Sequence, residues 1–526
     1  MGRDFPQALH GLLRTGAYPH TVRAIKVITT HISWVLLTGD FAYKIKRPVR
    51  YPFVDLSTQG QREFLCHEEL RLNRRFAPEM YLEVCPITLV DGEAQVGGTG
   101  PVVEHAVKMR QFPETEQLDR LLDEARIAPS EMRSFGAELA RIHDGLPRAS
   151  VTQDWGHPAA AGAVIIENLE ECARSAETAW GPDADVQTLR DPLLAQIEAS
   201  ARLLSQRFVD GRVRECHGDL HASNLVRTER GLVAFDCLEF DPALRWIDVA
   251  DEAAFLLADL EASHADLHAH AFLGGYLDQS GDFQACRVLN LYKAHRGLVR
   301  AKVLALNSAE TGASPGNQAL RLLHRRRYLS HLAGARRALE ARVPSLILMA
   351  GISGTGKTWL AERIAPSLGA VHIRSDVERK RLAGMGARDR SHSVLGGGIY
   401  DPQMNEAAYE RLAECARDVL EGGFTVIVDA TFQRKSDRAK LCKIAEGLGV
   451  RARLVLCHAF QATLESRITE RARRSDDPSE ADLSVMRAQR AVFEPIDASE
   501  AFGIIDACTE KPGIAEWLAL ELQSSL

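Results

Sequence analysis

"SLILMAGISGTGKTWLAERIAPSL", residues 345 to 368, is a short apolar run that passes directly into a glycine-rich turn and then into a helix-forming segment. The turn has the spacing G-x-x-x-x-G-K-T, built from Gly351, Ser353, Gly354, Thr355, Gly356, Lys357 and Thr358. Strand, tight turn and helix form the context in which this spacing works as a P-loop. Glycines let backbone amides turn inward on phosphates at a helix amino terminus, the lysine reaches the β and γ phosphates, and the threonine hydroxyl ligates magnesium. Residues from 345 onward are therefore expected to form an α/β fold with a parallel sheet, whose strand ends face the nucleotide.

Working downstream, "GAVHIRSD" reads as a strand ending in Asp376, with Arg379 and Lys380 one helical turn on, and "FTVIVDAT" as a strand ending in Asp429 and Thr431. In "ITERARRSDDPSEAD", Arg471, Arg473 and Arg474 fall at a helix-to-loop transition, as expected of cations that close over a transferring phosphate. Plainer readings exist: a helix cap with an intrahelical ion pair for Asp376 and Arg379, and a solvated face for the arginines.

Upstream, "QALRLLHRRRYLSHLAGARRALEARVP" has helical spacing and stops at Pro344, which sets the domain boundary. The expected division is 1–335, a helical linker end at 336–344, and 345–526. Within the first domain, "ECHGDLHASNLV", residues 215 to 226, sets His217, Asp219 and Asn224 at the spacing H-x-D-x-x-x-x-N. Phosphoryl transfer to a hydroxyl needs a carboxylate that takes or orients the hydroxyl proton, and Asp219 is so placed. Asn224 and Asp236, at the end of "GLVAFD", supply oxygens for magnesium. Earlier still, strand-like "FAYKIKR" precedes helical "QREFLCHEELRLNRRFA", the order of a small kinase lobe. Alternation sets Lys44 and Lys46 on one face, either able to reach phosphates, and Glu69, or Glu68 beside it, would orient the lysine. Lys44 with Glu69 is adopted; the choice against Lys46 and Glu68 stays open.

"HGDLHASN" followed by "AFDCLEFDPALRWIDVADE" resembles the aminoglycoside phosphotransferase-like branch of the protein-kinase-like fold. The resemblance implies Asp219 as catalytic base, Asn224 and Asp236 as magnesium ligands, and Asp248 as a brace for the catalytic loop. No G-x-G-x-x-G loop precedes Lys44, only "LLTGD". "GISGTGKT", "SDVERK" and "VIVDATF" resemble the small P-loop kinases of the polynucleotide-kinase and zeta-toxin-like group. That resemblance implies Asp376 as base toward an acceptor hydroxyl, Arg379 as an acceptor or phosphate contact, and Asp429 near magnesium or the acceptor. The whole chain resembles bacterial fusions of these two domains.

The expected architecture is thus an α+β bilobal protein-kinase-like fold followed by an α/β P-loop NTPase fold. A length of 526 residues exceeds what one core organises, so each motif has its own domain. Hydrophobic residues at 45% and charged residues at 26% are ordinary for a globular chain, no apolar run approaches a membrane span, and "MGRDFPQALHGLL" lacks the apolar core of a secretory signal. Ten scattered cysteines fit reduced thiols in a cytoplasm, and a net charge of −7 argues against a general nucleic-acid binder. The expectation is an ATP- and Mg2+-dependent phosphotransferase with a site in each domain. It would act on a small-molecule hydroxyl acceptor, with a nucleic-acid end as the other acceptor for the carboxyl-terminal domain. The competing class is a nucleotide-sensing regulator.

Overall fold

The computed structural model describes residues 5–51, 54–152, 155–312, 315–387, 389–391, 397–474, 479–497, 500 and 502–525. The chain divides into two compact units. One comprises Met1–Glu131, Ile142–Val164 and Leu204–Asp259, and the other Met132–Arg141, Ile165–Leu203 and Leu260–Leu526.

In the first unit, alternation along "FAYKIK" decides the layering. Tyr43 and Ile45 enter one core with Trp34, Leu36 and Ile87, whereas Ala42 packs on the opposite side with Cys66, Val107 and Met109. Lys44 and Lys46 share that second side, toward the helix Gln59–Asn73. The strand Phe41–Lys46 is central in a six-stranded sheet, in the order Lys26–Thr29, Ser33–Leu37, Phe41–Lys46, Val102–Arg110, Tyr81–Val90, Glu93–Val96. Its neighbours pair antiparallel throughout. Thr58 and Gln61 form a capping box that starts Gln59–Asn73, satisfying amides that the first helical turn leaves without partners.

The segment 213–248 follows as short ladders. Val213–Glu215 pairs with Trp246–Asp248, and Leu225–Thr228 forms a hairpin with Gly231–Ala234. Arg207 donates to both oxygens of Asp248 at 2.7 and 2.8 Å, a bidentate pair with negligible exposure that pins the start of helix Val249–Ala262.

The second unit is organised by a five-stranded parallel sheet in the order Val371–Arg374, Val426–Asp429, Ser345–Ala350, Arg451–His458, Gly503–Cys508. Every residue of Ser345–Ala350 is buried, as a central strand covered on both faces requires, and this explains its unbroken apolar run. Leu360, Ile364, Leu518 and Leu522 from flanking helices pack on Ile347 and Met349. The same unit holds the helices Asp266–Ser280, Cys286–Thr311 and Gln318–Leu339, so the sequence-drawn linker end at 336–344 lies inside it. Polar anchors join these helices to the sheet layer: Asn290 Nδ2 donates to Gly422 O at 3.1 Å, and Arg381 Nη1 to Gln279 O at 3.0 Å. Among the described residues no helix is long and apolar enough to cross a membrane.

Gly351 leaves the central strand at φ 140°, and a Cβ there would lie 2.5 Å from the carbonyl oxygen of Cys457. Gly351→Ala should therefore lower the thermal stability of this unit by about 1–3 kcal/mol, a typical cost of overpacking. Gly60→Ala, where a Cβ meets nothing within 4 Å, should leave stability unchanged or slightly raised in the same melting experiment.

Candidate functional site

In the first unit both strand lysines converge on one carboxylate. Lys44 Nζ lies 2.8 Å from Glu69 Oε1 and 2.5 Å from Asp236 Oδ1. Lys46 Nζ lies 2.6 Å from Glu69 Oε2 and also donates to Glu239 Oε1. Glu68 instead pairs with Arg71 at 2.8 Å. Lys44 is thus the lysine that meets Asp236, and Lys46 lies fully buried behind it. Burial alone would lower the Lys44 ammonium, but Asp236, Glu69 and Glu239 outweigh it and hold the group well above its ordinary value. Burial likewise opposes ionisation of Glu69, yet Lys44 and Lys46 hold it down at about 2. For Glu239 burial wins, with Lys46 opposing it, and its carboxyl is raised.

Asp236 occupies the left-handed region at φ 67°, which a non-glycine residue keeps only when its surroundings over-determine it. Those surroundings are visible. Its N–H donates to Tyr81 Oη at 3.1 Å, and the next N–H, of Cys237, donates to Asn73 Oδ1 at 3.0 Å. Asn224 is brought alongside because Phe235 N–H donates to its carbonyl at 3.0 Å. Asn224 Nδ2 lies 3.0 Å from Asp219 Oδ2, and His221 Nε2 approaches the same oxygen at 3.4 Å. His217 is fully buried, with Nε2 2.9 Å from Phe235 O, and burial pushes its pKa down. It packs the loop and faces no solvent.

Sequence reasoning did not single out Lys46's partner Glu239, nor Glu252. Glu252 accepts the backbone N–H of His217 at 2.6 Å and of Gly218 at 2.9 Å, while Asp259 accepts that of Ala222 at 2.9 Å. Bracing by Glu252 and Asp259 thus adds to whatever Asp248 contributes beside Arg207. The available signal was two carboxylates, Glu252 and Asp259, about two turns apart on one face of a largely apolar helix.

In the second unit the P-loop borders a cavity of about 1090 Å³, lined also by Asp376, Arg379, Asp429 and Arg471. Gly354 and Gly356 take φ 88° and 84°, the left-handed conformations that turn the amides inward. Lys357 Nζ donates to Ile352 O at 3.0 Å, and burial lowers its pKa. Thr358 Oγ1 lies 2.5 Å from Asp429 Oδ2, with His372 Nε2 3.5 Å from the same oxygen. Burial would raise the Asp429 carboxyl; His372, Lys357 and Thr358 bring it to about 2.

Asp376 is half-buried, and its carboxylate makes no hydrogen bond or ion pair among the described residues. The intrahelical pair on its helix forms between Glu378 and Arg381 at 3.2 Å. Arg379 is 8% exposed and donates to Ile399 O at 3.3 Å and to Asn405 Oδ1. Its Nε is buried without a partner and no carboxylate pairs with it among the described residues. A desolvated guanidinium in this state is suited to an anion. Arg471 donates to Ala481 O at 2.7 Å; Arg473 is exposed, and the Arg474 side chain lies outside the described residues. A further arginine, Arg467, was not anticipated: it donates to Gly354 O at 3.3 Å and to Thr509 Oγ1 at 2.8 Å.

Residues 346–496 match the family described as the AAA domain. The uncharacterized protein Rv2004c of Mycobacterium tuberculosis is 30% identical over 471 residues, covering 89% of this chain and 91% of its own. Among solved structures, the amicoumacin kinase hAmiN in complex with AMP-PNP, Ca2+ and Ami is 14% identical, covers 58% of this chain and 87% of its own, and has a TM-score of 0.37. Kti12 of Chaetomium thermophilum in complex with ADP-AlF3 is 15% identical, covers 34% of this chain and 97% of its own, and has a TM-score of 0.28.

Two outcomes follow for the first site. Lys46→Met leaves Glu69 and Glu239 buried with one cation fewer and should destabilise by about 3–5 kcal/mol in chemical denaturation. Glu69 falls from an ordinary 4.5 to about 2 on folding, so its contribution is present above pH 4.5 and lost as pH drops toward 2. Stability should decline across that window, and less steeply in Glu69→Gln.

Proposed function

The chain belongs to the family of the mycobacterial protein Rv2004c, and from that premise we propose that it is an ATP-dependent phosphotransferase with one kinase-like centre in each half. The proposed extents of the two are 1–335 and 345–526. The observation that carries this reading is that each site gathers a cation, a carboxylate and further oxygen donors of its own, the groups that phosphoryl transfer would use. Lys44, Asp219, Asn224 and Asp236 gather in one, and Lys357, Asp376, Thr358 and Asp429 in the other.

Both donor sets are oxygen-only, which fits a hard divalent cation. Asn224 and Asp236 would hold Mg2+ in the first site, and Thr358 and Asp429 in the second, where the ion neutralises phosphate charge. In the first site Lys44, oriented by Glu69, holds the phosphates of ATP. Asp219, oriented by Asn224 and His221, takes the proton of the acceptor hydroxyl as its oxygen bonds to the γ-phosphorus and ADP leaves. In the second the P-loop amides and Lys357 hold the β and γ phosphates, Asp376 takes the acceptor proton, and Arg379 and Arg471 supply positive charge. The acceptor of the first site is proposed to be a small hydroxylated molecule; for the second, a nucleic-acid end is the other candidate.

Asp219→Ala should reduce transfer at the first site by about 10²–10⁴ while nucleotide still binds. Asp376→Asn should abolish acceptor labelling at the second. Calorimetric titration with AMP-PNP and Mg2+ should give two equivalents per chain, and Lys357→Ala should remove one of them. One equivalent in the unaltered chain, or loss of both in Lys357→Ala, would overturn the two-centre reading.

A further inference from the structure

One amide of the P-loop already has a side-chain acceptor from a distant helix. The N–H of Ser353 donates to Gln489 Oε1 at 2.8 Å, a residue on the helix Leu483–Val492. Val485, Ala488, Gln489 and Val492 all line the cavity, the spacing of one helical face. The helix is seated there by Met486, which packs with Leu464 and Ile468 in a cluster that also holds Ile352 of the P-loop itself. Asp482 caps its start by accepting Val485 N–H at 2.9 Å, and Arg471 donates to Ala481 O just before it at 2.7 Å. The contact between Gln489 and the P-loop is therefore built from both sides: an ordered helix presents the carboxamide and an apolar cluster fixes its distance.

We infer that Gln489 is a phosphate-site residue, whose carboxamide oxygen holds the Ser353 N–H that a nucleotide phosphate oxygen takes on binding. The inference rests on the nucleotide reading of this domain and adds to it a residue that competes with the ligand. A P-loop works because its amides converge on phosphate oxygens. A neutral carboxamide oxygen is a weaker acceptor for such an amide than a charged phosphate oxygen. Nucleotide consequently displaces Gln489, and each binding event must break that hydrogen bond first. Lys357 does not compete in this way, since its ammonium rests on Ile352 O with one of three N–H donors and keeps the others for a phosphate.

The test measures affinity for ADP and for AMP-PNP, each with Mg2+, at the component of binding that Lys357→Ala removes from the full-length chain. Gln489→Ala should bind both nucleotides about two- to ten-fold more tightly, the net worth of one neutral hydrogen bond. Gln489→Glu, which keeps an acceptor and adds a negative charge beside the phosphates, should bind both more weakly than the unaltered chain. Thermal unfolding without nucleotide reports whether either variant disturbs the helix. Unchanged or weaker binding in a folded Gln489→Ala, with Lys357→Ala still removing one equivalent, overturns the inference alone. If Lys357→Ala removes no equivalent, the nucleotide reading of this domain falls and the inference falls with it.

Discussion

Glu69 sits at zero exposure between two ammonium groups, and the geometry of the first site depends on that arrangement. A lone buried carboxylate would cost far more than folding could offset and would take up a proton. Two lysines at hydrogen-bond distance keep it ionised, and the three charges fix one another's positions. Because side chains alternate along a strand, Lys44 and Lys46 point the same way, so one glutamate on the facing helix orients both. Lys44 then projects to Asp236 and Lys46 to Glu239. Asp236 is the carboxylate of this set that stays accessible, with 45% of its side chain exposed, which suits a site proposed to take a divalent cation.

The second site depends on a constraint of a different kind. All strands of the five-stranded sheet run parallel, so their carboxyl ends meet at one edge. Gly351 and the segment leading to Asp376 each follow the end of a strand, Asp429 is the last residue of another, and those three strands are adjacent in the sheet. Local glycine conformation shapes the phosphate loop, but strand adjacency sets Asp376 and Asp429 around the same cavity. The helix bearing Asp376 is further held by Arg381, which reaches the carbonyl of Gln279.

Legibility in the sequence followed the range of the interaction. The P-loop, the Asp219 to Asn224 segment and the Lys44 strand each depend on neighbours a few residues apart, so spacing reveals them. Glu239, Arg467 and Gln489 act on groups far away in the chain, as Gln489 does on Ser353 across 136 positions, and spacing carries no trace of that. The choice between Lys44 and Lys46 was open for the same reason, since alternation assigns both to one face and only the position of the loop after residue 234 distinguishes them. Asp376 and Arg379 allowed an intrahelical pair; Glu378 and Arg381 make that pair instead because Arg381 and Glu378 face Gln279 and Arg411.

The sequence by itself determined the two fold types, the phosphate loop and the order of the chemical groups along the chain. These follow from local rules: glycine where the backbone turns left-handed, alternation in strands, and apolar runs where strands are covered on both faces. Only the tertiary structure decided that Val426–Asp429 lies between the P-loop strand and Val371–Arg374, that one glutamate serves two lysines, and that Gln489 rests on a P-loop amide. Each of these is a contact between segments distant in sequence, where closing the loop costs entropy whatever the residues are. Its occurrence is set by what packing and desolvation return across the whole unit, and no short stretch of sequence contains that sum.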